Sequence, residues 1–256
     1  MSRIYTKTTA IFLVAAATVL WSAAASPDAA AAGDDGITIV DPDAKFFGRT
    51  YSDLVGDWWN WAFQGPAETL PVLDEDGEFC DVGQQGKFWF LAGNFGGVTE
   101  RWCNVPGGKA LFFPIVNILF WTPDDATTLE EARAGSNSLI DPTDSLTCEI
   151  DGVPVSDLFA YRAQTFPGGF DFEIPEGSFL TQVPGCSDGK GGFEPCEPGL
   201  RPFSVSDGYW LGLRPLPPGE HTIHFTGVIA GGFPDGFELD VTYHLMVGGN
   251  NQAAAD

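Results

Sequence analysis

The stretch Tyr51–Pro66, Y-S-D-L-V-G-D-W-W-N-W-A-F-Q-G-P, decides the fold because it places three of the eight tryptophans in a helical pattern. Thr50 or Ser52 can cap the N-terminus of this helix, Asp53 falls in its favourable first turn, and Gly65-Pro66 ends it. Apolar side chains recur at spacings of three and four residues and leave little polar surface. The helix should therefore be largely buried, and it needs a partner surface.

Short aromatic and β-branched runs between Gly and Pro residues follow the helix and predict a sheet as that surface. The segment Gly86–Ala92, the Gly-rich turn Asn94–Gly97 and the segment Val98–Cys103 predict a hairpin. Ala110–Val116 is almost continuously apolar, which is typical of a strand covered on both faces, and Pro114 places it near an edge or a bulge.

The last third of the chain contains three further strand patterns, at 207–214, 216–229 and 237–247, which predict an antiparallel meander. Two more short helices are expected, one at 123–135 and one at 155–164. With 32 Gly and 19 Pro, long helices cannot dominate. The predicted fold is mainly β: an antiparallel β-sandwich, jelly-roll or immunoglobulin-like, with two or three short helices that include the Trp-rich one.

The N-terminus has the pattern of an export signal. Arg3 and Lys7 precede an apolar run from Ala10 to Ala25, and small residues suited to cleavage follow. We expect a signal peptide at 1–25, a disordered linker at 26–36, a single β-rich domain at 37–248 and a disordered tail at 249–256. The apolar run is shorter than the roughly 20 residues that a spanning helix needs, so we expect a secreted or periplasmic protein without membrane attachment after cleavage.

The charge of the chain excludes several partners. Removal of the signal peptide would leave ten basic residues against 35 acidic ones, a net charge of −25. Such a surface repels nucleic-acid phosphates and anionic lipid headgroups. It favours solubility in an ionic habitat, and it leaves an extracellular glycan or a cation as the expected partner. The sequence specifies neither a cofactor nor an oligomeric state.

Five cysteines in an exported chain predict disulfides with one cysteine left over. Cys80 and Cys103 flank the predicted hairpin, and Cys186 and Cys196 bracket a Gly-rich loop that has no other means of order. Among the fifteen two-bond schemes that five cysteines allow, we expect these two pairs. Cys148 is then free, in a strand where a buried, inert thiol is expected rather than a nucleophile.

All three histidines lie in the last predicted hairpin. We expect His224 to lie directly across from His244 on its more polar face, with Asp240 or Glu220 nearby. Such a group can bind zinc or another divalent cation, or act as a general base. The alternative is a polar, solvent-facing pair without a ligand.

Exposed aromatic side chains on a sheet can stack on sugar rings, and Trp59, Trp102, Trp121 and Tyr209 are the candidates for such a surface. The leading hypothesis is a non-catalytic extracellular or periplasmic binding or structural protein. The alternative is a polysaccharide hydrolase or lyase that uses carboxylates, with or without a metal. Asp171 and Glu173 alternate onto one strand face, as an acid/base pair would, although such pairs arise by chance among 35 acids.

The combination of W-W-N-W-A, G-Q-Q-G-K-F-W-F-L-A-G, C-N-V-P-G-G-K-A-L-F-F-P-I-V-N, S-D-G-Y-W-L-G-L-R-P-L-P-P-G-E-H-T-I-H-F-T-G and D-V-T-Y-H-L-M-V resembles an uncharacterised group of exported bacterial proteins. The resemblance extends over nearly the whole predicted mature chain. It implies no activity, ligand or catalytic residue, and it supports treating residues 37–248 as one unit.

Overall fold

The computed structural model of the chain describes residues 31–32, 36–188, 190, 192–231 and 236–248. The predicted signal peptide (1–25) and tail (249–256) lie outside these ranges, as does most of the predicted linker, although Ala31–Ala32 form a short strand. Within the described ranges the protein is mainly β, with mixed sheets. Neither α-helix in this part of the chain is both long enough and apolar enough to span a bilayer.

The described elements follow one another as short strands interrupted by two α-helices, α1 (Tyr51–Phe63) and α2 (Leu129–Ile140), and by 3-10 helices at Ala67–Thr69, Leu158–Tyr161 and Phe179–Thr181. In chain order the strands are β1 (Ala31–Ala32), β2 (Thr38–Ile39), β3 (Phe88–Phe90), β4 (Gly97–Val105), β5 (Ala110–Phe120), β6 (Thr143–Ile150), β7 (Val153–Pro154), β8 (Arg162–Gln164), β9 (Phe170–Ile174), β10 (Pro184–Ser187), β11 (Phe193–Pro195), β12 (Gly199–Leu213), β13 (Gly219–Ile229) and β14 (Phe237–Val247).

These strands form a larger and a smaller sheet and a separate hairpin. The larger sheet has the order β1-β2-β12-β5-β3, and β8 and β9 also pair with β12. The smaller sheet has the order β4-β14-β13-β6-β7, and β10 and β11 form the hairpin. Because β3 pairs with β5 and β4 with β14 in parallel, the prediction of purely antiparallel sheets is wrong.

The predicted hairpin around Asn94–Gly97 is also wrong. β3 belongs to the larger sheet and β4 to the smaller one, so the chain crosses between the sheets where a tight turn was expected. The predicted C-terminal meander is likewise divided, because β12 lies in the larger sheet. Only β13 and β14 form the expected antiparallel hairpin.

α1 begins and ends close to the positions that its sequence indicates. The Thr50 side chain accepts a hydrogen bond from the Asp53 amide, and the Asp53 carboxylate accepts one from the Thr50 amide, which together make a capping box. α2 has the same arrangement between Thr128 and Glu131. The third predicted helix is only the 3-10 turn Leu158–Tyr161, preceded by Asp157 in a left-handed conformation rather than capped by a side chain.

Strands β5 and β12 form a layer that is covered on both faces, as predicted for Ala110–Val116. Phe112 and Trp210 pack against the α1 side, where Trp58 is buried, in one cluster of buried residues. Phe113 and Leu211 belong to a second cluster, which also contains side chains of the smaller sheet. Pro114 lies at a register shift between the two strands, so the predicted bulge is confirmed.

The three tryptophans of α1 are fixed by polar contacts as well as by packing. The Trp58 indole N–H donates to the Leu91 carbonyl (2.9 Å), and that of Trp59 donates to Ser206 Oγ (2.8 Å). The Trp61 indole N–H donates to the Val82 carbonyl (2.9 Å). A buried indole N–H without a partner would cost free energy, so these contacts set the orientation of the helix as well as its burial.

A buried cation holds the crossing between the sheets. The Arg101 side chain on β4 is almost fully buried, and its guanidinium donates to the carbonyl oxygens of Asp74 (2.6 Å), Ala92 (2.8 Å) and Gly93 (3.1 Å) and to Tyr243 Oη (2.7 Å). A buried guanidinium is tolerated only when its N–H groups are satisfied. Arg101 therefore links the segment before β3, the crossing itself and β14.

The two predicted cysteine pairs are at disulfide distance. The Cα atoms of Cys80 and Cys103 are 5.8 Å apart, and those of Cys186 and Cys196 are 5.1 Å apart. The first pair ties the segment before β3 to β4, although no hairpin joins them. The second pair closes the β10–β11 hairpin. Cys148 is free and buried on β6, and burial raises the pKa of its thiol to about 12.

Replacing Arg101 with Met should lower the free energy of unfolding by about 3 to 5 kcal/mol, because the buried carbonyl groups of Asp74 and Gly93 lose their donor and that of Ala92 keeps only Tyr243. Urea unfolding followed by tryptophan fluorescence measures this change. Arg133→Met is the control: its guanidinium also donates to carbonyl oxygens, at Thr165 and Phe166, but it is only half-buried and water can replace it, so we expect a clearly smaller loss. Equal losses would contradict the assigned role of Arg101.

A thiol reagent should not modify the native protein and should modify one thiol per chain in guanidinium, because only the exposed thiolate of Cys148 reacts. Absorbance of the released chromophore counts the thiols. The variant Cys148→Ser should show none in either state. A count of three or more in the unfolded protein would show that one of the two cysteine pairs is not bonded.

Candidate functional site

Three of the four predicted ligand-binding aromatics are buried rather than exposed. Trp59, Trp121 and Tyr209 retain 7%, 8% and 6% of their accessible surface, whereas Trp102 retains 56%. The expectation of an exposed aromatic row is therefore wrong for the first three. Their side chains face the core because Trp59 lies on the sheet side of α1 and Tyr209 on the covered strand β12.

Trp59 and Trp121 nevertheless meet at a cavity of about 330 Å³. Its other walls come from the end of β5, from Phe95 and from the segment Phe179–Gly185, and they are almost entirely apolar. The polar tip of Trp59 is already bonded to Ser206. This cavity therefore offers packing but few directional contacts to a ligand.

The histidines do not form the predicted metal group. In the observed register His224 pairs with Thr242 and His244 with Thr222, so the expectation that the two lie directly opposite each other is wrong by two residues. His224 Nε2 lies 2.9 Å from Asp240 Oδ1, whereas His244 Nε2 lies 2.7 Å from Glu100 Oε1. Each histidine thus has its own carboxylate, and no set of three or more candidate metal ligands occurs among the described residues.

Trp102 lies beside His244 on the outer face of the smaller sheet. The two rings stack with centroids 4.9 Å apart and planes 19° apart. They border a polar cavity of about 350 Å³, and its remaining walls include Asn104, Glu220 and His221. We call this the Trp102 surface.

Of the acidic residues near turns and strand edges, Asp74 has a structural role. The buried Asp74 carboxylate of the D-E-D-G segment accepts hydrogen bonds from the amides of Gly77 (2.9 Å) and Phe79 (3.1 Å), which is turn chemistry rather than a calcium loop. Asp171 and Glu173 are exposed on β9, and their backbone groups bond to the side chain of Asn60.

A further cavity, of about 500 Å³, lies on the outer side of α1 and combines aromatic with polar side chains. It lies between α1 and the loop G-Q-Q-G-K (Gly83–Lys87), which leads into β3. We call it the α1 groove, and it is lined by Phe47, Arg49, Asp57, Asn60, Trp61, Gln64, Gly83, Gln85, Gly86, Lys87, Phe88 and Phe90.

The loop beside the α1 groove is built to a fixed shape. The Gln84 side chain donates to the carbonyl oxygens of Cys80 (3.0 Å) and Phe90 (2.8 Å) and accepts from the Phe90 amide (2.9 Å). Gly83 has φ of 68°, and a Cβ atom there would lie 3.2 Å from the Trp61 ring. Glycine is therefore required for both the backbone conformation and the close approach to Trp61.

A charged pair and the Lys87 ammonium face the α1 groove. Arg49 Nη2 lies 2.7 Å from Asp57 Oδ2, and burial raises the pKa of Asp57 although the Arg49 charge opposes the rise. The Lys87 ammonium lies 5.5 Å from the centroid of the Phe47 ring, on which it can make a cation–π contact. The groove therefore offers donors, acceptors and aromatic faces together.

The sequence contains a signal for this groove that is separate from the tryptophans. Asp57, Asn60 and Gln64 recur at spacings of three and four on α1 and form the polar stripe of a helix that is otherwise apolar. The G-Q-Q-G-K loop is one of the motifs that carry the resemblance described above. What the sequence does not reveal is that the loop folds back onto this stripe, since that contact depends on the parallel pairing of β3 with β5.

No protein-family model matches the chain, and no curated protein or solved structure is significantly similar to it.

Removal of divalent cations with EDTA should leave the thermal midpoint within about 1 °C, because the paired histidines and carboxylates are not arranged around a common point. Differential scanning calorimetry before and after chelation checks this. A fall that zinc restores, and that His244→Ala abolishes, would show that the histidines rearrange around a metal.

Proposed function

We propose that the protein is an exported, non-catalytic binding protein and that its ligand is a carbohydrate held in the α1 groove. Export is supported by the pattern of the first 25 residues and by two cysteine pairs at disulfide distance, since disulfides persist in oxidising compartments. We also propose that the two sheets form a β-sandwich, because side chains of both contribute to one core cluster.

The observation that carries this proposal is the combination of aromatic and hydrogen-bonding side chains in the α1 groove. Phe47 and Trp61 supply apolar faces for the C–H surface of a sugar ring, while Gln64 and Gln85 supply amide donors and acceptors for its hydroxyl groups. A volume of about 500 Å³ lies within the range of small-molecule sites.

The alternative of a polysaccharide hydrolase or lyase fits this groove less well. Glycoside hydrolysis commonly uses two carboxyl groups that flank the bond to be cleaved. Asp57 is the only carboxylate among the described residues that line the groove, and it is paired with Arg49. Binding without catalysis is therefore the function that these residues support best.

The Trp102 surface is the competing carbohydrate site, because it has one exposed aromatic ring above a polar cavity. The Trp102 ring is already stacked on His244. Trp102 belongs to the smaller sheet, whereas α1 packs on the other face of the larger sheet. A test of the proposal must therefore separate the two sites.

The double variant Gln64→Ala/Gln85→Ala should weaken carbohydrate binding at least about tenfold, because two exposed amides lose their hydrogen bonds to the sugar while the fold keeps its core contacts. A glycan array selects the ligand, and titration calorimetry measures its affinity. Trp102→Ala is the control and should bind like the unmodified protein.

The opposite pattern, with binding lost in Trp102→Ala and kept in the double variant, would move the site to the Trp102 surface. Failure of the array to show any carbohydrate ligand would overturn the proposed function. Circular dichroism of each variant checks that the fold is retained.

A further inference from the structure

We infer that the carbohydrate bound in the α1 groove is anionic and carries a carboxylate or a sulfate group that Lys87 recognises. The inference rests on the proposed function and specifies its ligand. It starts from the distribution of the few cations in a chain that has 35 acidic residues.

Several arginines of the described chain are engaged within the fold. Arg101 is buried among carbonyl groups, Arg162 pairs with the buried Asp207, and Arg201 lies 2.6 Å from Asp124. These guanidinium groups stabilise the protein's own structure. They are not presented to a ligand.

In contrast, three cations gather around the α1 groove. Arg49 and Lys87 line it, and the Lys109 ammonium donates to the Gly86 carbonyl in the adjoining loop. Asp57 is the one carboxylate of the groove lining, and Asp53 also lies 3.8 Å from Arg49, so the three cations and these two carboxylates have a net charge of +1 when all are ionised. A local excess of positive charge on so acidic a protein indicates an anionic ligand.

Lys87 is the residue that remains available. Within the described part of the chain, its ammonium has the Phe47 ring as its contact and lies within 4.0 Å of no carboxylate. Its side chain is exposed, and the loop that carries it is fixed by Gln84 and Gly83. Lys87 therefore presents an unneutralised charge at a defined position beside the aromatic faces of Phe47 and Phe88.

The acidic remainder of the surface does not cancel this attraction. At physiological ionic strength the screening length is about 8 Å, so an anion in the groove interacts mainly with groups that line it. Distant carboxylates contribute little there, whereas they continue to repel anions from the rest of the surface. The same charge pattern would confine an anionic glycan to the groove.

Titration calorimetry in 0.15 M salt with three probes tests the inference: a uronic acid oligosaccharide, its neutral methyl ester, and a sulfated oligosaccharide. At least one anionic probe should bind about three- to tenfold more tightly than the neutral ester. The probe that does so identifies the charged group as carboxylate or sulfate.

Equal affinity for the ester and both anionic probes would overturn the inference and leave the proposed function standing. No binding by any probe, together with a negative glycan array, would overturn both.

Lys87→Gln removes the charge but keeps a long polar side chain, and it should abolish the preference by weakening the anionic probe about three- to tenfold more than the neutral ester. Lys190→Gln is the charge-matched control, since Lys190 is exposed and lies in the β10–β11 hairpin. It should retain the preference. Equal weakening of neutral and anionic probes by Lys87→Gln, or loss of the preference in Lys190→Gln, would contradict recognition by Lys87.

Discussion

The rest of the structure depends on the buried guanidinium of Arg101. It lies where the chain leaves the larger sheet and enters the smaller one, and it bonds to carbonyl groups of that crossing and of the segment before β3. Its partner Tyr243 extends the network into β14. A cation placed among backbone oxygens in this way fixes the separation of three segments, because any one that moved away would leave a buried polar group unsatisfied. The contact therefore holds the smaller sheet against the segments that lead into and out of β3.

The local features of the fold could be predicted from the sequence. The cap at the start of α1, the bulge at Pro114, the burial of the Trp-rich helix and the Cys186–Cys196 pair depend on residues close in sequence or on strong composition rules. The Cys80–Cys103 pair was expected from a hairpin that does not form, although the two cysteines are at disulfide distance. The pairing of strands could not be predicted equally well. A Gly-rich turn between two strand patterns favours a hairpin, and only the non-local pairing with β5 and β14 shows that the chain crosses between the sheets instead. The burial of Arg101 on the same side of β4 as Cys103 agrees with this crossing.

The candidate site shows the same division. Exposed tryptophans were the expected signal, but large aromatic side chains are mostly buried on average, and here Trp59, Trp121 and Tyr209 complete the core. The groove that remains is formed by the polar stripe of α1 and the G-Q-Q-G-K loop. Each part is visible in the sequence. Their contact is not, because it is created by the burial of α1 against the larger sheet and by the glycine that lets the loop approach Trp61.

The shape of the α1 groove depends on whether the Cys80–Cys103 pair is oxidised. Cys80 accepts the hydrogen bond of Gln84 at the base of the G-Q-Q-G-K loop, and Cys103 follows Arg101 on β4 by two residues. In a reducing compartment the loop would keep the hydrogen bonds of Gln84 but lose its covalent attachment to the smaller sheet. Under the proposed function, oxidation of this cysteine pair would then be needed to complete the ligand-binding groove.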